Sequence, residues 1–239
     1  MSNAWAVKRF WTSADVSEVE GGFTVTLDGR PVKTPAKAPL VVPTRQMAEA
    51  IAAEWDAQTG KVNPATMPVT RGANAAIDKV AIQQEEVASM VVEYGGTDLL
   101  CYRAPQPAEL TARQAAAWDP LLGWASEVLG AELVVTQGVL PVAQPDSAMA
   151  AFAATLAPLS PFEMAALYDL VGITGSLVIG LAVAHGRLSA EEAWDLSRID
   201  EDWQIEQWGQ DDEASELAAL KRAELLLAAR FWQLAQRQN

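Results

Sequence analysis

An α+β fold is predicted for this chain, with a small, mainly-β N-terminal domain followed by a larger multihelical C-terminal domain, and three observations predict it. Phe23, Val25 and Leu27 alternate with Thr24 and Thr26, the two-residue period that puts apolar side chains on one face of a strand. The run Leu40-Val41-Val42 lies between Pro39 and Pro43, which cannot donate a ladder hydrogen bond and suit a strand boundary or a sheet edge. Beyond residue 60 the apolar residues recur mostly at helical spacing.

Taken in order, Asp28-Gly29 predicts a hairpin turn, because both residues tolerate positive φ. Thr44 is the expected N-cap of a first helix on which Met47, Ile51 and Trp55 recur at helical spacing, with Gly60 a few residues past its end. That helix should pack on the small sheet, with Trp55 plugging it while Glu54 and Asp56 face water; partner contact through Trp55 is the secondary reading. Asn63-Pro64-Ala65-Thr66-Met67-Pro68 is the clearest break, since each proline biases the residue before it away from helix. A domain boundary is therefore expected near residue 60, giving domains 1–60 and 61–239. Helices are then expected over roughly Thr70 to Tyr94, Thr111 to Leu129, Asp146 to Leu156, Pro161 to Val171, Gly175 to His185, Ala190 to Trp208 and Asp212 to Arg237. Leu99 to Tyr102 and Leu133 to Thr136 read either as strands added to the sheet or as extended connectors.

Composition narrows the function. With 31 acidic against 17 basic residues the net charge is -14, which repels phosphate backbones and anionic lipid, so neither nucleic acid nor a membrane surface is an expected partner. The longest apolar region, Leu170 to Ala184, is broken by Thr174, Ser176 and three glycines and is too short to span a bilayer, so it reads as buried helix. The lone cysteine, Cys101, cannot form an internal disulfide, which fits a reducing compartment, and the first residues carry neither a transit segment nor a signal-peptide core. A cytoplasmic chain is expected. One Cys and one His cannot build the usual zinc, haem or iron-sulfur sites, and the acidic runs lack calcium-loop spacing. No phosphate-binding loop is present, so no cofactor is expected. His185, followed by Gly186, reads as a helix C-cap.

The richest segment is Glu191 to Glu216, where eleven acids face a single base, Arg198. On a helix continuous to Trp208, Leu196, Ile199 and Trp203 form a stripe bordered by Asp200 and Glu206 that should face the core. Trp194, Ile205 and Trp208 fall within roughly 60 degrees of one another on a different side, beside Glu201. Either the helix is sandwiched between neighbours, or one acid-rimmed side stays exposed and receives an apolar, basic surface of another protein. Paired carboxylates also invite acid/base chemistry, and a small-molecule enzyme with these acids in an interdomain cleft is the alternative function. A permanent structural subunit is the third reading, disfavoured by a charge that suits an independently soluble chain.

Seven ordered stretches resemble the assembly chaperones that hold the alpha subunit of the ATP synthase catalytic head, found in mitochondria and some bacteria. They are Leu27-Asp28-Gly29-Arg30-Pro31-Val32-Lys33-Thr34-Pro35, Glu54-Trp55-Asp56-Ala57-Gln58, Met67-Pro68-Val69-Thr70, Tyr94-Gly95-Gly96-Thr97-Asp98-Leu99-Leu100, Trp118-Asp119-Pro120-Leu121-Leu122, Gly175-Ser176-Leu177 and Trp203-Gln204-Ile205-Glu206-Gln207-Trp208-Gly209. The resemblance implies a non-enzymatic chaperone of the same α+β plan. It would bind free alpha subunit, shield the surface later given to beta, and leave as the hexamer forms. It further implies a chain that is monomeric when free, cytoplasmic in bacteria and in the mitochondrial matrix for eukaryotic relatives. The family's sensitive acidic position falls at Asp200, and the expected partner-binding set is Asp200, Glu201, Trp203, Glu206, Trp208 and Trp55.

Overall fold

The computed structural model describes residues 8–138 and 140–236. By contacts the chain divides into two compact units. The first holds the described residues up to Gln84, with Ser160–Ala166 and those from Arg230; the second holds Glu85–Leu159 and Leu167–Ala229. The division after Gln84 does not coincide with the boundary expected near residue 60, because the segment after the Asn63 to Pro68 break packs back on the first helix.

The first unit is built on strand β2 (Gly22–Leu27). It pairs antiparallel with β1 (Ala14–Val19) along its whole length, from Ala14 opposite Leu27 to Val19 opposite Gly22. Along its other edge it pairs with β3 (Arg30–Pro31) and β4 (Val41–Val42). The hairpin forms at Asp28 and Gly29, both at positive φ (47° and 78°). The Asp28 carboxylate accepts the backbone N–H of Ser13 and Thr12, and these bonds hold its carboxyl below the usual range. Gly22 is required where β4 crosses, since a Cβ there would lie 2.2 Å from the Val42 carbonyl oxygen. Val25 and Leu27 are buried as the alternation predicts, and Thr24 is buried too, its hydroxyl donating to the Leu40 carbonyl at 2.7 Å.

Helix α1 (Arg45–Asp56) is capped by Thr44, whose Oγ1 accepts the Met47 N–H, and it buries Met47, Ala48 and Ile51. Helix α2 (Pro68–Ala75) begins at a proline and has no cap of its own at Met67. Glu54 supplies it: the carboxylate accepts the Val69 and Thr70 N–H groups at 2.8 Å and the Thr70 hydroxyl at 2.7 Å. The expectation that Glu54 faces water is therefore corrected. An anion at an uncapped helix start outweighs its hydration. Gln58 completes the joint, donating to the Glu54 carbonyl and Thr66 Oγ1 and accepting from the Asn63 N–H. Glu54→Ala is expected to cost about 2 kcal/mol in thermal unfolding, because it orphans the first N–H groups of α2.

A π-helical turn, Ala76–Val80, follows α2, and the chain leaves the helix at 81–83 before α3 (Gln84–Gly96). The single helix expected over Thr70 to Tyr94 is thus two, separated where the hydrogen-bond register widens. The chain continues with β5 (Tyr102–Arg103), α4 (Ala108–Trp124), β6 (Thr136–Gln137), α5 (Asp146–Leu156) and α6 (Pro161–Thr174), which belongs to the second unit from Leu167. Then come α7 (Leu177–Ala184), α8 (Ala190–Ser197), α9 (Ile199–Trp208) and α10 (Asp212–Ala235), the last belonging as far as Ala229 to the second unit. The helix end expected at Arg237 lies outside the described residues. Of the two ambiguous patches, Leu99–Cys101 forms a 3-10 turn and 133–135 run as irregular connector; only their last residues, Tyr102 and Thr136, enter strands β5 and β6, which pair in parallel with each other and not with the N-terminal sheet.

The core of this unit includes Trp118, Phe152, Leu156, Leu167, Leu170, Leu177 and Ile179, all fully buried. A buried polar staple crosses it. Asp98 accepts the Ser176 hydroxyl at 2.7 Å and the Val178 and Leu100 N–H groups at 3.0 Å, capping α7 from a turn about 80 residues earlier. Burial pushes the Asp98 carboxyl up to about 6 against these bonds. Cys101 beside it is buried and pushed up to about 12, an inert thiol. At the other end of α7, His185 is the C-cap. Gly186 at φ 68° lets Arg187 N–H reach the Ala182 carbonyl, while the imidazole lies edge-on to Trp124 at 5.6 Å. Among the described residues no helix is long and apolar enough to cross a membrane.

Candidate protein-docking site

Helix α8 starts from a capping box in which Ser189 Oγ accepts the Glu192 N–H and Glu192 accepts from Ser189; these bonds hold the Glu192 carboxyl below its usual range. The helix does not continue to Trp208. Two side chains divert its carbonyls: the Trp118 indole N–H donates to the Leu196 carbonyl at 2.9 Å, and Ser197 Oγ donates to that of Trp194 at 2.8 Å. The chain bends at Arg198 (φ -117°, ψ 13°), and α9 restarts with the Asp202 N–H on the Arg198 carbonyl. The continuous helix expected from Ala190 to Trp208 is therefore corrected to two. Trp194 is buried in α8 under the Arg198 guanidinium, 5.1 Å from its ring, and does not share a face with Ile205 and Trp208.

Helix α9 is held by its first turn and by α4. Ile199 is buried, and half-buried Asp200 accepts from Gln114 Nε2 at 2.5 Å. Gln114 itself is fully buried, its other amide atom accepting the Ala104 N–H. Further along α9, Arg113 donates twice to Glu206 at 2.9 Å and lies 5.5 Å over the ring of half-buried Trp203. Arg198 reaches Asp202 at 3.7 Å and Glu201 at 4.0 Å. Burial raises the Asp202 carboxyl, with Glu201, Asp195 and Glu206 pushing the same way and Arg198 opposing. The far side of α9 stays open: Trp208 is 79% exposed, Ile205 is 38% exposed, and Glu201 is exposed. Gly209, at φ 89°, ends the helix there.

Five of the six expected site residues, Asp200, Glu201, Trp203, Glu206 and Trp208, thus lie on one ten-residue helix of the second unit. Their environments differ: Asp200 and Trp203 fasten the helix, Glu206 is paired, and Glu201 and Trp208 face solvent. Trp55 belongs to the first unit, half-buried and edge-on to Trp11 at 5.2 Å, its indole N–H buried without an acceptor. Sequence reasoning did not identify Arg113 and Gln114, which hold α9 in place; side chains on a helix 90 residues away leave no local signal. Asp200→Lys is expected to lower stability by about 1–2 kcal/mol, because it strands the buried Gln114 amide. Glu201→Lys, at an exposed position, is expected to change the unfolding midpoint negligibly.

The open side of α9 presents an exposed indole and isoleucine among carboxylates. Among the described residues no group of three or more His, Cys, Asp or Glu could hold a metal ion. A cleft of about 530 Å³ in the first unit is lined by Gly21, Gly22, Phe23, Pro43, Thr44, Arg45, Gln46 and Gln236, none of them a carboxylate.

Comparison with known proteins bears on what such a surface is for. The model of the family described as ATP12 chaperone protein matches residues 8–126. The protein named atp12, mitochondrial, of Schizosaccharomyces pombe is 25% identical over 222 residues, covering 88% of this chain and 76% of that protein. The crystal structure of Atp12 from Paracoccus denitrificans is 49% identical with a TM-score of 0.93, covering 96% of this chain and 98% of that one. An aspartate-to-lysine mutant of P. denitrificans Atp12p is 48% identical, with the same TM-score and the same coverage. With nearly half its residues identical to a solved relative that it covers almost completely, the chain belongs to the ATP12 chaperone family.

Proposed function

We propose that the chain is a non-enzymatic chaperone of ATP synthase assembly that binds free alpha subunit and shields the surface alpha later gives to beta, leaving as the hexamer forms. The observation that carries this reading is the open side of α9, where Trp208 and Ile205 stand exposed among acids on a helix fastened from behind by Gln114 and Arg113. An orphan subunit exposes apolar surface and strand edges that aggregate, and a partner that covers them lowers the concentration of the sticky species without chemistry. Rigid mounting keeps the ordering cost of docking small, and the acidic rim steers a basic partner surface while leaving binding reversible.

The working form is a free monomer in the bacterial cytoplasm, with no cofactor. Co-expression with alpha subunit tests the reading. Alpha should remain soluble in a complex with this chain, and added beta should dissolve that complex. Alpha that aggregates regardless, or a complex that beta leaves intact, would overturn it.

A further inference from the structure

Helix α10 is built in two halves. From Leu225 onward it buries Leu225, Ala228, Ala229, Phe231, Trp232 and Ala235. Before that, residues 212–224 are exposed apart from half-buried Ser215 and Ala218. At about 100 degrees per residue, Ser215 and Ala218 fall on the side that continues into buried Leu225 and Ala229, so this side faces the protein. Leu217 and Leu220, 54% and 64% exposed, fall roughly opposite, on a face they share with Glu213, Glu216 and Glu224. Lys221 borders the Leu217 side. Two leucines among three glutamates, pointing away from the body of the unit, have no packing role there.

The charges separate this face from α9. On α9 the carboxylates are largely engaged internally, Asp200 by Gln114, Glu206 by Arg113, and Glu201 and Asp202 by Arg198. Among the described residues no ion pair engages Glu213, Glu216 or Glu224. Three exposed carboxylates flanking an apolar pair complement an apolar stripe flanked by Lys or Arg. Only 209–211 separate this helix from the end of α9.

We propose that the first three turns of α10 are a second docking surface, and that its occupant is an amphipathic segment of the alpha subunit carrying apolar residues flanked by Lys or Arg. The inference rests on the reading that this chain holds free alpha. Trp208 anchors the partner on α9, and the Leu217/Leu220 face engages the basic segment through groups the fold leaves unpaired. Since exposed charges act mainly on encounter, the three glutamates set the rate and salt dependence of association and the leucines set its lifetime.

The test uses the full chain with purified alpha subunit. Leu217→Gln/Leu220→Gln keeps good helix formers and should bind alpha at least tenfold more weakly with an unchanged melting temperature. Glu213→Lys/Glu216→Lys/Glu224→Lys should slow association and flatten its salt dependence. A photo-crosslinker at position 220 should capture a Lys- or Arg-flanked segment of alpha. If native chain holds alpha but the leucine variant binds equally well, the second surface is wrong and the α9 reading stands. If native chain does not hold alpha, both fall. A crosslink to another copy of this chain would make the face a self-association surface and also overturn the proposal.

Discussion

Trp118→Ala is expected to destabilise the protein by about 3–5 kcal/mol, the cost of emptying a fully buried indole site. The loss has three parts. The cavity is large. The Leu196 carbonyl loses its donor, and the Arg103 guanidinium, 5.2 Å over the ring and paired with Asp119 at 2.7 Å, loses its apolar support. Trp118→Phe separates them, since it keeps most of the volume and removes only the indole N–H. It should cost about 1–2 kcal/mol. Because that N–H diverts the carbonyl at which α8 ends, Trp118→Phe should also loosen the bend at Arg198, which faster amide hydrogen exchange at the start of α9 would report. Denaturant unfolding measures the stability change, and a Trp118→Ala cost under 1 kcal/mol would show that the site collapses around the missing ring.

The second large effect is expected at Asp98. Asp98→Ala leaves the Ser176 hydroxyl and two backbone N–H groups without their acceptor in a fully buried place, at a cost of about 3 kcal/mol. The pH dependence has a definite sign. Burial raises the folded carboxyl to about 6, above its ordinary value of 3.8, so between these values the folded protein holds a proton that the unfolded chain has released. The contribution of Asp98 therefore falls as pH rises through that window and is constant above it. Asp98→Asn does not titrate, so the stability of the native chain relative to Asp98→Asn should decline from pH 4 to pH 6. Asp28 and Glu192, whose carboxyls are lowered, act in the opposite sense at lower pH and cancel in this comparison. A difference that is flat across the window would mean that the hydrogen bonds, rather than burial, govern the carboxylate.

What the sequence revealed and what it hid divide along a physical line. Local patterns were legible: alternation at 23–27 located the central strand, Asp28-Gly29 the hairpin, Thr44 the start of α1, and Ala-His-Gly-Arg the end of α7. Long-range polar bonds were not. A helical wheel over 190–208 assumes a continuous helix, and the break is made by an indole 78 residues away. Glu54 looked like a surface acid because its partners are backbone N–H groups that carry no sequence signature, although a proline-initiated helix lacking its own cap was a hint. The same contacts explain motifs the sequence presented as separate. Glu54-Trp55-Asp56-Ala57-Gln58 meets Met67-Pro68-Val69-Thr70 through the Glu54 cap, and the Asp98 stretch meets Gly175-Ser176-Leu177 through the buried staple. For the acidic segment, the sequence left open whether the side carrying Trp194, Ile205 and Trp208 was sandwiched or exposed; the structure exposes Ile205 and Trp208 and buries Trp194 in α8.

The central claim is that the open side of α9 docks the alpha subunit, and Trp208 tests it most directly because it is 79% exposed and outside every packing contact described above. The measurement is the equilibrium affinity of purified alpha subunit for native chain and for Trp208→Ala, with thermal unfolding of both. An aromatic anchor at an interface contributes about 2 kcal/mol or more, so affinity should fall roughly 30-fold while the melting temperature stays unchanged. Equal affinity for both proteins would contradict the account.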